Sequence, residues 1–198
     1  MIRRAFDVAV AAAVLLLSAP LLALAAIAIR LETRGAAIYR QRRVGRDGAQ
    51  FDVLKLRTMV AGAEFIGAGM AVDAGDPRIT RVGALLRRSS IDELPNLWNV
   101  LRGEMSIIGP RPTLPEQIEA YDERQRRRLD VKPGITGWAQ VNGRAALPWS
   151  ERIELDLHYV ENRSLRLDAT ILLRTLAIVF GRGGGGGVYH PGGGGFDL

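Results

Sequence analysis

The stretch Val8–Ile29, "VAVAAAVLLLSAPLLALAAIAI", is apolar except for Ser18 and Pro20. As a straight helix its roughly 22 residues reach about 33 Å, enough for the hydrocarbon core of a bilayer. Four readings compete: a cleaved leader, a helix buried in a core, a simple spanning helix, and a helix–break–helix that enters and leaves by one face. Arg3 and Arg4 with Ala23-Leu24-Ala25 resemble a leader and its cleavage site, but the run is long for one and continues past that site. A core helix of this length beside a modest domain is disfavoured. Pro20 lacks a backbone donor and crowds the preceding turn, and Ser18 can bond a freed carbonyl. Arg3 and Arg4 precede the run, and Arg30 and Arg34 follow it. Positive flanks favour the cytoplasmic side. Cations at both ends therefore favour a re-entrant anchor, over residues 1–34, with Ser18 and Pro20 at its kink.

The 198-residue chain is long enough for one further domain. It carries 27 Lys+Arg against 21 Asp+Glu, a net charge of +6. That balance points to nucleic acid, anionic lipid or a phosphorylated substrate. Without cysteine there is no disulfide, thiolate site or cysteine nucleophile. The two histidines, His158 and His190, argue against a histidine metal centre or triad; His158, among Leu155, Leu157 and Tyr159, is read as structural.

The fold class expected is α+β: the membrane helix, a small β-hairpin, and a helix-rich domain, residues 35–180, with interfacial helices. Ala37–Arg40 and Phe51–Arg57 read as strands about the Asp47-Gly48 turn. Ala61–Gly75 reads as loop or weak helix, and Asn96–Leu101 as a helix stopped by Gly103. Pro115–Leu129 reads as an exposed helix whose Arg126-Arg127-Arg128 run is a solvated face, or else a contact for anionic headgroups. Pro133–Gly137 and Asn142-Gly143 read as turns. Pro148–Tyr159 and Asp168–Phe180 read as helices, the second apolar enough to lie on a core or a membrane. Trp98, beside Leu94, Leu97 and Leu101, is expected in the core, whereas Trp138 and Trp149 could also serve an interfacial belt or stack on a base. Residues 181–198 are glycine-rich and expected to be mobile, because glycine runs do not repay their ordering entropy.

Chemistry concentrates in Ser89–Pro112, "SSIDELPNLWNVLRGEMSIIGPRP". Ser90-Ile91-Asp92-Glu93 fits a capping box, with Ser90 as N-cap and Glu93 reaching back to it. Two adjacent acids at a helix start also point about 100° apart, so they cannot share one symmetric role. One can act on phosphorus while the other holds a metal or steers a proton. Arg78, Arg81, Arg87, Arg88, Arg102 and Arg111 surround them in sequence. Cations and a divalent metal would offset the repulsion between carboxylates and phosphate. Mg²⁺ suits such a site and Mn²⁺ is the alternative.

The chain resembles the bacterial sugar transferases, the small monotopic phosphoglycosyl transferases. The likeness runs from about Arg3 to Phe180 and rests on "RRAFD", "YRQRRVGRDG", "KLRTM", "DPRITRVGALLRRSSIDELPNLWNVLRGEMSIIGPRP", "VKPGITGWAQVNGR" and "YVENRSLRLD". It implies transfer of a sugar 1-phosphate from a UDP-sugar to polyprenol phosphate (undecaprenyl phosphate), with release of UMP, at the cytoplasmic face of the bacterial inner membrane. It implies Asp92 as nucleophile, Glu93 as its assistant, both acids at the Mg²⁺, and Arg87 and Arg111 on phosphate oxygens. Lys55 and Arg57 are weaker phosphate-binding candidates. Expected partners are the UDP-sugar, the polyprenol phosphate and membrane lipids, with no nucleic acid and with a homodimer left open. Ser18-Ala19-Pro20 departs from the family's adjacent Ser-Pro pair, and the glycine tail inherits no role. The competing reading is a non-catalytic, membrane-anchored basic module for anionic lipid or nucleic acid.

Overall fold

A computed structural model describes residues 2–66, 75–143 and 147–180. The expectation for residues 181–198, part of Ala61–Gly75, and His190 lie outside them. Helix α1, Ile2–Glu32, is followed by an antiparallel hairpin, β1 Ile38–Val44 and β2 Gln50–Leu56. Next come α2 Arg81–Ser89, α3 Asn96–Arg102 and β3 Ser106–Ile108. Short helices α4 Pro115–Glu119 and α5 Glu123–Arg126 lead to β4 Gly134–Thr136, which pairs in parallel with β3. Helices α6 Trp138–Val141, α7 Trp149–Glu161 and α8 Leu165–Phe180 complete the α+β fold.

The expected break at Ser18–Pro20 does not interrupt α1: Pro20 lies inside one helix. Ser18 Oγ donates to Val14 O at 2.6 Å, a bond back across one turn that helices tolerate and often bend around. One side of α1 packs on the domain through two separate clusters. Ala11 is fully buried with Leu97, Val100, Met105, Ile107 and Ile171, and Val10, Val14 and Leu15 flank that cluster. Ala25 and Ile29 form a second cluster with Leu56 and Leu86.

Polar contacts anchor both ends of α1 to that same body. Near its start, Arg3 Nε pairs with Asp168 at 2.6 Å, and the buried Asp7 accepts from Ser106 Oγ at 2.8 Å and Ile107 N at 2.9 Å. At its end, Glu32 accepts from Arg81 N at 2.7 Å and Val82 N at 3.0 Å, meeting the free donors of α2. The opposite side of α1 is bare: Leu17 is 81% exposed and Leu31 83%.

Local chemistry accounts for the smaller elements. Asp47 and Gly48, at φ 56° and 78°, turn the hairpin as expected. Gly103, at φ 84°, ends α3 with its N–H on Asn99 O and Val100 O. Three expectations are corrected. Pro133–Gly137 contains a strand, because β3 supplies the partner for Gly134–Thr136. Pro115–Leu129 is two short helices and a 3₁₀ turn, with Tyr121 and Arg128 buried. Trp98 is 48% exposed: Leu97 and Val100 take the core-facing side of α3, and Trp98 points away.

Candidate active site

Asp92 and Glu93 lie in the single 3₁₀ turn Ile91–Glu93, between α2 and α3. The capping-box expectation is corrected here. Ser90 ends α2 in the left-handed region, at φ 56°, with its N–H on Arg87 O and Leu86 O, and its side chain caps nothing. The Glu93 carboxylate turns instead to two cations. Its Oε1 accepts from Lys55 Nζ at 3.0 Å and from Arg111 Nη2 at 2.6 Å. These partners come from β2 and from the Pro110–Pro112 loop, so three distant segments meet at one oxygen.

That contact orders the protonation states. Burial pushes the Glu93 carboxyl up, but the Arg111 and Lys55 charges and hydrogen bonds outweigh it and hold it well below the usual carboxylate range. Burial lowers the Lys55 ammonium; Glu93 opposes that shift and Arg111 adds to it. The Asp92 carboxyl is pushed up to about 6, first by burial and then by the neighbouring Glu93 charge, against the pull of Lys55 and Arg87. The Asp92 carboxyl makes no hydrogen bond to another described residue; only its own backbone N–H reaches it. One acid is therefore clamped and ionised, while its neighbour keeps its oxygens for another atom. Titratable neighbours driven apart in this way are a recurring feature of sites that carry out acid, base or nucleophilic chemistry.

Supporting residues hold the cluster. Arg87, in the last turn of α2, donates from Nε to Thr58 Oγ1 at 2.7 Å. Helix α2 comes that close because Gly83 has no side chain: a Cβ there would lie 1.9 Å from Thr58 O. The buried Asn99 joins α3 to β2, accepting from Leu54 N at 3.2 Å and donating to Asp52 O at 2.8 Å. This sets Lys55 against Glu93. An apolar groove of about 250 Å³ lies nearby, lined by Leu15, Leu22, Ala26, Leu56, Pro95 and Trp98 among others.

Of the six side chains expected at the site, Lys55, Glu93 and Arg111 are joined directly. Asp92 adjoins them, and Arg87 acts on it through charge. Arg57 is engaged elsewhere: its guanidinium donates to Arg34 O at 2.7 Å and Thr33 O at 2.9 Å, tying the hairpin to the end of α1. No described hydrogen bond or ion pair connects it to Asp92 or Glu93. Sequence reasoning missed Thr58, Asn99 and the buried Arg128. Thr58 and Asn99 lie inside the family stretches but nothing local marks them as site residues, and Arg128 was hidden in a run of like charges.

The family of bacterial sugar transferases matches residues 1–182. The chain belongs to this family. A UDP-glucose:undecaprenyl-phosphate glucose-1-phosphate transferase of Caulobacter vibrioides is 45% identical over 88% of this chain and 68% of its own length. The exopolysaccharide production protein ExoY of Rhizobium meliloti is 38% identical, over 92% of this chain and 88% of its own. An undecaprenyl-phosphate glucose phosphotransferase of Komagataeibacter xylinus is 43% identical over 88% of this chain, which spans only 35% of that relative. The acid pair and its cations thus sit in a sugar transferase whose long apolar helix suits membrane association.

Proposed function

We propose that this sugar transferase moves a sugar 1-phosphate from a UDP-sugar to polyprenol phosphate and releases UMP. The observation that carries the reading is the split pair: Asp92, with no hydrogen bond to another described residue, beside Glu93 held ionised by Lys55 and Arg111. In the first step Asp92 attacks the sugar-bearing phosphorus, and the bond from that phosphorus to the UMP oxygen breaks. In the second, an oxygen of the polyprenol phosphate attacks the same phosphorus and the aspartyl ester breaks. The products are polyprenyl-diphosphate-sugar and free Asp92. Both nucleophiles act as anions and both leaving groups depart as anions, so charge balances without a proton transfer. Arg87, Arg111 and Lys55 hold the phosphate oxygens where negative charge gathers.

The donor set suits Mg²⁺ or Mn²⁺. Both described hydrogen bonds to the Glu93 side chain land on Oε1, which leaves Oε2 and the Asp92 oxygens as hard ligands, with substrate phosphates and water to complete the shell. Such a cation would neutralise the diphosphate as UMP leaves.

The docking of both α1 ends on one body supports a membrane helix that does not cross the bilayer, with the domain at the cytoplasmic face of the bacterial inner membrane. The apolar groove beside Pro95 supports a lipid-linked acceptor. The test combines purified protein, polyprenol phosphate, Mg²⁺ and a panel of UDP-sugars. UMP release that depends on both substrates, and an Asp92 adduct in intact mass after UDP-sugar alone, are expected. Wild-type turnover by Asp92→Asn would overturn the reading in favour of a non-catalytic basic module or another chemistry. Single cysteines at Ile2 and Ala36 should label from one side of the membrane only.

A further inference from the structure

Arg111 sits in the Pro110–Thr113 loop, between two prolines whose rings fix φ and remove both N–H donors. The loop is therefore held by its carbonyls. Pro110 O accepts from Gly134 N at 2.8 Å, and Thr113 O from Val44 N at 2.9 Å. Pro112 O accepts from Arg43 Nη1 at 3.1 Å. The carbonyl of Arg111 itself accepts from the side chain of Arg128, Nη2 to O, at 2.9 Å.

Arg128 is built to stay there. It is 4% exposed, and Asp156 on α7, 1% exposed, pairs with it at 2.7 Å. Its Nη1 donates to Thr113 Oγ1 at 2.6 Å and also to Tyr121 OH. The guanidinium stands 5.5 Å from the centre of the Trp149 ring. One rigid fork thus joins α7 to the Arg111 carbonyl and the Thr113 hydroxyl, on either side of Pro112. A lysine would keep the charge, but a point charge on a flexible stem cannot hold Asp156, Thr113 and the Arg111 carbonyl together.

We propose that Arg128, backed by Asp156, is a positioning residue that sets the phosphate-holding geometry of Arg111. This rests on the proposed function, in which Arg111 meets the diphosphate. The test measures UDP-sugar binding by calorimetry to full-length protein carrying Asp92→Asn, so that no turnover intervenes. Adding Arg128→Lys should weaken binding about tenfold, within the range for side chains in one network. In an Arg111→Ala background the same change should cost almost nothing further. A role confined to stability would lower the melting temperature without that background dependence. Equal affinity with and without Arg128→Lys, or an equal loss in both backgrounds, would overturn the inference. If Arg128→Lys does not fold, Thr113→Val removes one arm of the network and keeps the Arg128–Asp156 pair. It should weaken binding about threefold only where Arg111 is present, and no such difference would be equally fatal. Failure of Asp92→Asn to bind any UDP-sugar would instead count against the proposed function.

Discussion

Asp92→Asn should abolish turnover and stabilise the protein. Asp92 is lifted from an ordinary 3.8 to about 6. Keeping it ionised in the fold at neutral pH therefore costs on the order of 3 kcal/mol at about 1.36 kcal/mol per pH unit. The side chain is partly open to water, and screening reduces this to about 1–2 kcal/mol. For a chain of this size that is a rise of about 2–8 °C in melting temperature. The pH dependence identifies the cause. A carboxyl raised in the fold favours folding below its unfolded value, and that contribution is lost as pH rises through the folded value. The advantage of Asp92→Asn over wild type should thus be full above pH 6 and fade as pH falls toward 4. Thermal unfolding in one detergent at pH 4.5 and pH 7.5, with UMP release at pH 7.5, measures both effects. A variant no more stable than wild type at pH 7.5, or a gain equally large at pH 4.5, would refute the assignment of a strained, ionised Asp92.

Other outcomes follow from the same contacts. In the proposed mechanism Asp92 attacks as an anion, so wild-type kcat/KM should fall about tenfold per pH unit below about 6; a profile flat down to pH 5 would contradict an Asp92 nucleophile of that pKa. Glu93→Gln leaves Lys55 and Arg111 around a neutral amide, so stability should drop by about 1–2 kcal/mol and turnover by about 100-fold or more, seen in melting and UMP assays. Gly83→Ala drives a methyl into Thr58 O and should separate Arg87 from Thr58, at about 1–3 kcal/mol in denaturant unfolding. Chelation with EDTA should stop UMP release, and Mg²⁺ or Mn²⁺ should restore it.

Much of the architecture was legible locally. The apolar run Val8–Ile29, the Asp47-Gly48 hairpin turn and the Gly103 stop each depend on a few neighbouring residues, because helix length, left-handed φ and capping are short-range physics. The acid pair was legible as well, since adjacent carboxylates among arginines require compensation wherever they lie. Local pattern misled where a distant partner outbid it. Ser90-Ile91-Asp92-Glu93 spells a capping box, yet Lys55, 38 residues away, and Arg111, 18 residues away, offer Glu93 full charges in place of one backbone N–H.

The sequence by itself determined an α+β chain with a long apolar N-terminal helix and a carboxylate pair set among cations. Only the tertiary structure decided which cations those are. Lys55 and Arg57 stand two residues apart in one basic motif, but Lys55 meets Glu93 while Arg57 closes the end of α1. Arg126, Arg127 and Arg128 are identical letters in a row, but Arg128 alone of the three is buried, holding the loop of Arg111. A charged group leaves water only where an opposite charge or well-placed hydrogen-bond partners already wait. Those sites arise when remote segments pack together, so no short window of sequence contains them.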